Sequence, residues 1–429
     1  MNKIYNYWFK LDNAAKIYPA ILSKTESNIF RVSAELNDNI KPDILNQAVV
    51  DLKKRFPSMY VKLRRGLFWY YLEKNEKMPI VKKESPYINE MIDISKNNNY
   101  RFTIFYYNNR ISLEWFHSLC DGYGAIEFLK AITYRYLELL GKKMKDENKV
   151  LTIKQEETKE EMEDSFDKNY TGKVKRLDKI KKAYHIRDIH FPHYYDTGII
   201  IGKINVEDML SLARKNNSTI TEYLSALLTF SIYEAYKEDK AIKKRPINLS
   251  IPVNMRKFFN SKTLRNFSLF FYTSVDFSKG NISFNDILKI VKEDFNREID
   301  KDKLQSTLNS NVGAEKSIIM RIVPVFIKNI ALKIAFNLLG DSLTTMTLSN
   351  IGNIDLPLSM KRYVKDFGFN LSSHYTHPNG LAIVSCNGTM SLSFSRKICD
   401  TNIEKIFFRH LANEGIKVKI ESNMLEYYV

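Results

Sequence analysis

The sequence predicts an α+β protein of two units. Its length of 429 residues exceeds what a single hydrophobic core usually serves and points to two domains of about 200 residues each. Both halves mix alternating, aromatic and β-branched runs with apolar residues at helical spacing, so each pairs a sheet with helices. Between them lies a densely charged stretch, 141–187, with few large apolar residues. That stretch reads as a solvated crossover and divides the chain into units 1–187 and 188–429.

Taken in order, 42–56 sets Ile44, Leu45, Ala48, Val49 and Leu52 on one face and ends at Pro57, the pattern of a helix and its stop. Residues 59–72 read as one aromatic strand. Residues 101–107 and 110–116 form a hairpin about Asn108-Asn109. A helix follows through Ala125, Phe128, Leu129 and Ile132 and stops at Gly141. In the second half 198–204 alternates as a strand, a short helix starts at Val206, and a longer one starts at Thr219, where Glu222 completes a capping box. Strands over 247–253 and 266–277 flank Asn254-Met255-Arg256. A helix covers 284–299. The strand 343–348 runs into Ser349-Asn350-Ile351-Gly352-Asn353. The hairpin 380–395 turns at Asn387-Gly388, and a helix over 403–411 and a strand over 415–420 come last. No repeat relates the halves.

The formal charge is +17. Its cations are scattered singly or in pairs, without zinc-finger spacing, a Walker loop or an RNP-like motif, so no nucleic-acid partner is expected. A phosphate-bearing small molecule or an acidic protein suits the charge better, and part of the excess reflects a Lys- and Asn-rich composition. Cys120, Cys386 and Cys399 show no paired spacing, which suits a reducing, cytoplasmic compartment. Residues 1–10 lack the apolar run of a signal peptide. The longest apolar stretch, 317–339, is broken by Arg321, Pro324, Lys328 and Lys333. It is expected as a basic amphipathic helix packed on a sheet, with membrane-surface contact as the alternative. His185, His190 and His193 have no acidic or cysteine ligands at suitable spacing, so no metal is expected.

Chemistry concentrates in His117-Ser118-Leu119-Cys120-Asp121-Gly122, an H-x-x-x-D-G directly after the strand 110–116. Ile111, Leu113 and Trp115 alternate onto one face, and His117 keeps their parity, so it leaves the strand on the apolar side, toward a core or a tunnel. A histidine there can take a proton from an acceptor hydroxyl or amine in acyl transfer; the competing reading is a core histidine satisfied by a backbone carbonyl. Asp121 is placed to brace the loop and Gly122 to relieve a turn where a Cβ would clash. Cys120 lacks a base of its own and reads as a packing residue.

Further pieces widen the pattern: Lys10-Leu11-Asp12-Asn13-Ala14-Ala15-Lys16-Ile17-Tyr18-Pro19, Arg55-Phe56-Pro57, Pro252-Val253-Asn254-Met255-Arg256 with Leu264-Arg265-Asn266-Phe267, and Leu348-Ser349-Asn350-Ile351-Gly352. With the histidine motif, in this order, the chain resembles the CoA-dependent acyltransferase superfamily. That group takes in chloramphenicol acetyltransferase, the condensation domains of peptide synthetases and the BAHD-like plant enzymes; the likeness is nearest to the bacterial alcohol acetyltransferase-like proteins. The resemblance implies two chloramphenicol acetyltransferase-like domains in a V-shaped pseudo-dimer with a tunnel along their interface. His117 would stand midway, acyl-CoA would enter from one face as co-substrate, and a small-molecule acceptor from the other, with no bound cofactor. It also makes Arg256 the candidate partner of Asp121, and Ser349 or Asn350 candidate contacts for the oxyanion or the acceptor. A structural turn is the competing reading of these last two.

Two departures bear on the subfamily. Phe116 stands where condensation domains usually carry a first histidine, and Asp366-Phe367-Gly368-Phe369 matches the plant D-F-G-W-G element only in part; it is read as structural. The expected activity is acyl transfer from acyl-CoA to a hydroxyl or amine by a monomer. The rivals are a condensation-type enzyme fed by an acidic acyl carrier protein and a non-catalytic binding module.

Overall fold

The computed structural model describes residues 8–423 apart from 24–25, 175–178, 194–195, 318–319 and 321. Arg321 and residues 1–7, both used above, lie outside the described residues. A five-stranded sheet runs in the order Val364–Asn370, Ile29–Leu36, Arg110–Phe116, Phe102–Tyr107, Val81–Lys83. Its period-two alternation turns Val32, Ala34, Ile111, Leu113 and Trp115 into a core closed by the helices Pro42–Asp51 and Gly122–Leu139. Phe102 stacks on Trp115 at 4.5 Å and Phe128 meets it edge-on at 5.5 Å. The motif strand is thereby anchored from below.

A seven-stranded sheet runs Ser268–Val275, Ile247–Asn254, Met346–Asn353, Asn379–Cys386, Thr389–Arg396, Gly198–Asn205, Lys419–Ser422. The helices Val206–Lys215, Ile220–Tyr236, Phe284–Glu298 and Asn402–Asn413 pack with it in a second core. The capping box at Thr219 and Glu222 forms with both reciprocal bonds. Met346–Asn353 lies parallel to both neighbours. Mixed sheets with helices make this an α+β fold, as the sequence predicts.

The two cores are stitched rather than adjacent. Along Asn379–Cys386, Leu381 and Ile383 enter the second core while Ala382, Val384 and Cys386 enter the first. One strand, buried on both faces, serves both. Val364–Asn370, from late in the chain, pairs antiparallel with Ile29–Leu36 and so edges the early sheet.

Three expectations need correction. Residues 59–72 are two strands, Val61–Arg65 and Tyr70–Lys74, closed by a turn in which Gly66 N donates to Trp69 O at 2.8 Å; with Trp8–Lys10 they make a third small sheet. A continuous aromatic run hid the glycine that folds it back. The stretch 141–187 is not simply solvated. It holds short helices at Lys159–Met162 and Ser165–Lys168, and buried Glu161 receives the buried Arg55 guanidinium at 2.8 and 3.0 Å. Phe166 and Tyr184 anchor it in the second core; the apolar anchors are too widely spaced to show as a pattern. Finally, 317–339 is not one helix on a sheet. A helix missed from sequence, Lys301–Lys316, precedes Val325–Leu339, which begins after Pro324 because proline sets the boundary there.

Candidate active site

The motif loop is built by the helix it starts. Asp121 is the N-cap of Gly122–Leu139, its carboxylate accepting from Gly124 N at 3.3 Å. The same carboxylate takes Arg256 Nη1 and Nη2 at 2.8 and 3.1 Å and Phe267 N at 2.9 Å. Arg256 is fixed in turn by the carbonyls of Thr263 and Arg265. Asp121 therefore clamps the early loop to the segment 254–267, its carboxylate bonds all going to that segment or to its own helix. The close approach falls elsewhere than expected. A Cβ on Gly124 would lie 2.0 Å from the Leu264 carbonyl oxygen, whereas one on Gly122 would meet only the flexible tip of Ile351 at 3.1 Å. Backbone thus passes backbone at Gly124, and neither glycine has a positive φ.

His117 leaves the strand with its amide donating to Asn28 O at 3.1 Å. Its ring lies flat on Tyr18, centroids 4.5 Å apart, and edge-on to Phe30 at 5.1 Å. Besides a bond to its own backbone, the ring sets Nδ1 3.0 Å from Asn266 Oδ1, and Asn266 Nδ2 donates to Asp12 Oδ2 at 3.2 Å. Because a carboxylate accepts and an amide NH2 donates, Asp12 fixes the orientation of Asn266, and Asn266 in turn places the histidine proton on Nδ1. Nε2 is left as the basic nitrogen. Burial pulls the His117 pKa below 6.5, with Asp121 and the Asn266 bond opposing. Burial pushes the Asp12 carboxyl up, and Arg265 at 3.6 Å with the Asn266 and Ala15 donors pulls it back. Burial holds the Cys120 thiol well above its ordinary value, which suits packing and not nucleophilic attack.

His117 opens on a cavity of about 330 Å3 walled by both halves of the chain, among them Phe30, Gly122, Asn254, Phe270, Ser349 and Phe369. The Ser349 hydroxyl has no hydrogen-bond partner among the described residues and is available at the wall. Asn350 is not: its Nδ2 donates to Thr221 Oγ1 at 2.9 Å and its Oδ1 accepts from Gly352 N at 2.9 Å. The pairing register shifts between Asn350 and Gly352, a bulge that leaves Ile351 unpaired and aims it at Gly122. Ser-Asn-Ile-Gly is thus a clasp on the motif loop, with Ser349 alone free for chemistry.

Several residues at the site carried no role in the sequence reading. Asp12 and Asn266 lay within the quoted matches, but the chain from Asp12 to Asn266 and from Asn266 to His117 spans 254 and 149 positions. His374, which burial pushes down to about 4, and His377, paired to Asp341 at 2.8 Å, line the same cavity. Phe369 of the D-F-G-F element is a wall residue. Among the described residues, no group of three or more His, Cys, Asp or Glu is arranged to hold a metal ion.

A family model described as alcohol acetyltransferase matches residues 181–406. No curated protein matches the chain in sequence. Solved structures match along nearly its whole length. Polyketide synthase associated protein 5 from Mycobacterium tuberculosis has a TM-score of 0.60 at 11% identity, covering 94% of this chain and 97% of that one. TRI101 of F. sporotrichioides, complexed with coenzyme A and T-2, has a TM-score of 0.61 at 10% identity, covering 97% and 100%. The starter condensation domain of rhizomide synthetase RzmA, in complex with C8-CoA, has a TM-score of 0.58 at 10% identity, covering 94% and 93%. At these identities the likeness is one of fold, shared by two-domain acyltransferases and condensation domains.

Proposed function

The chain belongs to the alcohol acetyltransferase family, and we propose that it transfers an acyl group directly from acyl-CoA to the hydroxyl of a small acceptor, with His117 as general base. The observation that carries this reading is the Asp12–Asn266–His117 chain, which commits the proton to Nδ1 and keeps Nε2 unprotonated beside the cavity. Nε2 takes the acceptor's hydroxyl proton as that oxygen attacks the thioester carbonyl carbon. The carbonyl electrons move to oxygen, where Ser349 Oγ–H is the candidate donor to the oxyanion. The oxyanion collapses, the C–S bond breaks, and the departing thiolate takes the proton back from Nε2. The products are an ester and CoA thiol, and the imidazole ends as it began. Base assistance of this kind contributes about 10²–10⁴-fold, and a shared cavity supplies the proximity of the two substrates. Asp121 and Arg256 hold the loop and take no proton.

The test is acceptor-dependent CoA release from acetyl-CoA and longer acyl-CoAs across a panel of alcohols and amines, comparing wild type with His117→Ala. Release that needs acceptor and is lost in the variant supports the reading. Release that persists in the variant removes His117 as base. Turnover only with acylated carrier protein replaces free acyl-CoA as donor, an outcome that the +17 charge makes worth including.

A further inference from the structure

The helix Val325–Leu339 is built inside out. One of its two lysines faces the protein: Lys328 is 3% exposed, its Nζ donating to Phe68 O at 2.7 Å and lying 3.4 Å from the centre of the Trp69 ring. Five of its large apolar residues face solvent. Phe326, Ile327, Ile330, Ile334 and Leu338 are 45–61% exposed, and their spacing sets them along one side of the helix. The turn of the small sheet extends this face, because Val325 N donates to Leu67 O at 2.8 Å and Leu67 is 68% exposed. A continuous apolar strip of this size is unusual on a soluble surface and marks a contact.

Charge identifies the contact. Residues 61–72 carry Lys62, Arg64 and Arg65, and residues 316–340 carry Lys316, Arg321, Lys328 and Lys333; neither stretch holds an Asp or Glu. Glu73 neutralises Lys62 and Arg64, at 3.0 and 2.9 Å, and Asp167 pairs with Lys316. Arg65 and Lys333 are exposed and make no ion pair among the described residues. The face therefore carries an excess of cations, which a second copy of the same face would bring together. An anionic lipid surface would take the apolar side chains among its acyl chains and the flanking cations at its headgroups.

We propose that Val325–Leu339 together with the Leu67-Phe68 turn is a docking surface for an anionic membrane. Phe336, on the same helix, lines the cavity that holds His117, so docking sets one wall of that cavity at the interface. No helix among the described residues is long and apolar enough to cross a membrane; the protein would lie on it.

The experiment is co-sedimentation of the full chain with vesicles of phosphatidylcholine, with and without phosphatidylglycerol. It is repeated with Ile330→Asp/Ile334→Asp and, separately, with Leu67→Ser on the turn. Wild type should sediment with the phosphatidylglycerol vesicles and be released by salt. The double variant should partition about tenfold or more weakly, since each change takes from the bilayer contact an isoleucine that docking would bury and adds a negative charge. Because these residues are already exposed, thermal melting should not move, which separates lost docking from lost folding; Leu67→Ser should weaken binding in the same sense. Three results overturn the proposal: no wild-type binding, binding undiminished in every variant, or a wild-type dimer or acidic carrier-protein complex that the same changes dissolve while vesicles are ignored. Binding is read without substrate, so its failure and that of the acyl-transfer reading are independent.

Discussion

Removing the Asp121 carboxylate should cost stability and activity together, by amounts that the structure sets. Asp121→Ala deletes four hydrogen bonds: two from Arg256, one from Phe267 N and the helix cap to Gly124 N. It leaves the Arg256 guanidinium, only 8% exposed, with its charge unanswered. Breaking a buried pair from one side costs about 3–5 kcal/mol. The lost cap alone is worth about 1 kcal/mol and overlaps with that figure, so about 3–5 kcal/mol is expected for the whole. Against a total stability of about 5–15 kcal/mol this is a large fraction. The unpaired guanidinium is the main cost, so Arg256→Met added to Asp121→Ala should restore part of the loss. Urea unfolding followed by tryptophan fluorescence reads the changes, since Trp115, on the motif strand, lies in the core. Because His117 shares the loop, kcat should also fall, by about 10²-fold for a displacement near 1 Å. A cost below about 1 kcal/mol for Asp121→Ala, or losses that simply add in the double variant, would refute the clamp.

The glycines separate by what their Cβ would meet: Gly124→Ala, against a backbone carbonyl, should destabilise by about 1–3 kcal/mol or more, and Gly122→Ala, against a mobile side-chain tip, by clearly less. Thermal melts in which Gly122→Ala is the worse of the two would reject that placement. If His117 is the base, kcat/KM should be flat at neutral pH and fall as pH drops through a value below 6.5, because burial lowers its pKa and only the neutral ring accepts a proton. Asn266→Ala removes a bond that raises that pKa, so the acid limb should shift to lower pH. The plateau should drop as well, by about tenfold or more, because the tautomer is no longer set. A limb that moved upward, or a plateau unchanged in the pH–rate profile, would remove Asn266 from the chain that orients the base.

Much of the local structure was legible because it depends on neighbours in the chain. The hairpin before His117, the helix from Gly122 and the capping box at Thr219 each follow from alternation, turn residues or caps within a few positions. The H-x-x-x-D-G loop was visible for the same reason. Where the signal lay in one residue inside a confident run, as with Gly66 in the aromatic stretch 59–72, local reading failed. It failed again for 141–187, where Glu161 looked like solvated charge until Arg55, 106 positions away, was brought against it.

The sequence by itself determined the α+β elements, the motif and the residue types available for acyl transfer, since propensity, period and capping act over short range. Tertiary structure alone decided which partners those residues meet: Asp12 and Asn266 for His117, the Gly352 bulge for Asn350, and solvent rather than protein for the apolar side of Val325–Leu339. Hydrogen bonds of 3 Å and close approaches of backbone to backbone are set by how sheets and helices stack. A one-dimensional pattern records that an amphipathic helix has two faces, but which face is buried is fixed by what the rest of the chain packs against it.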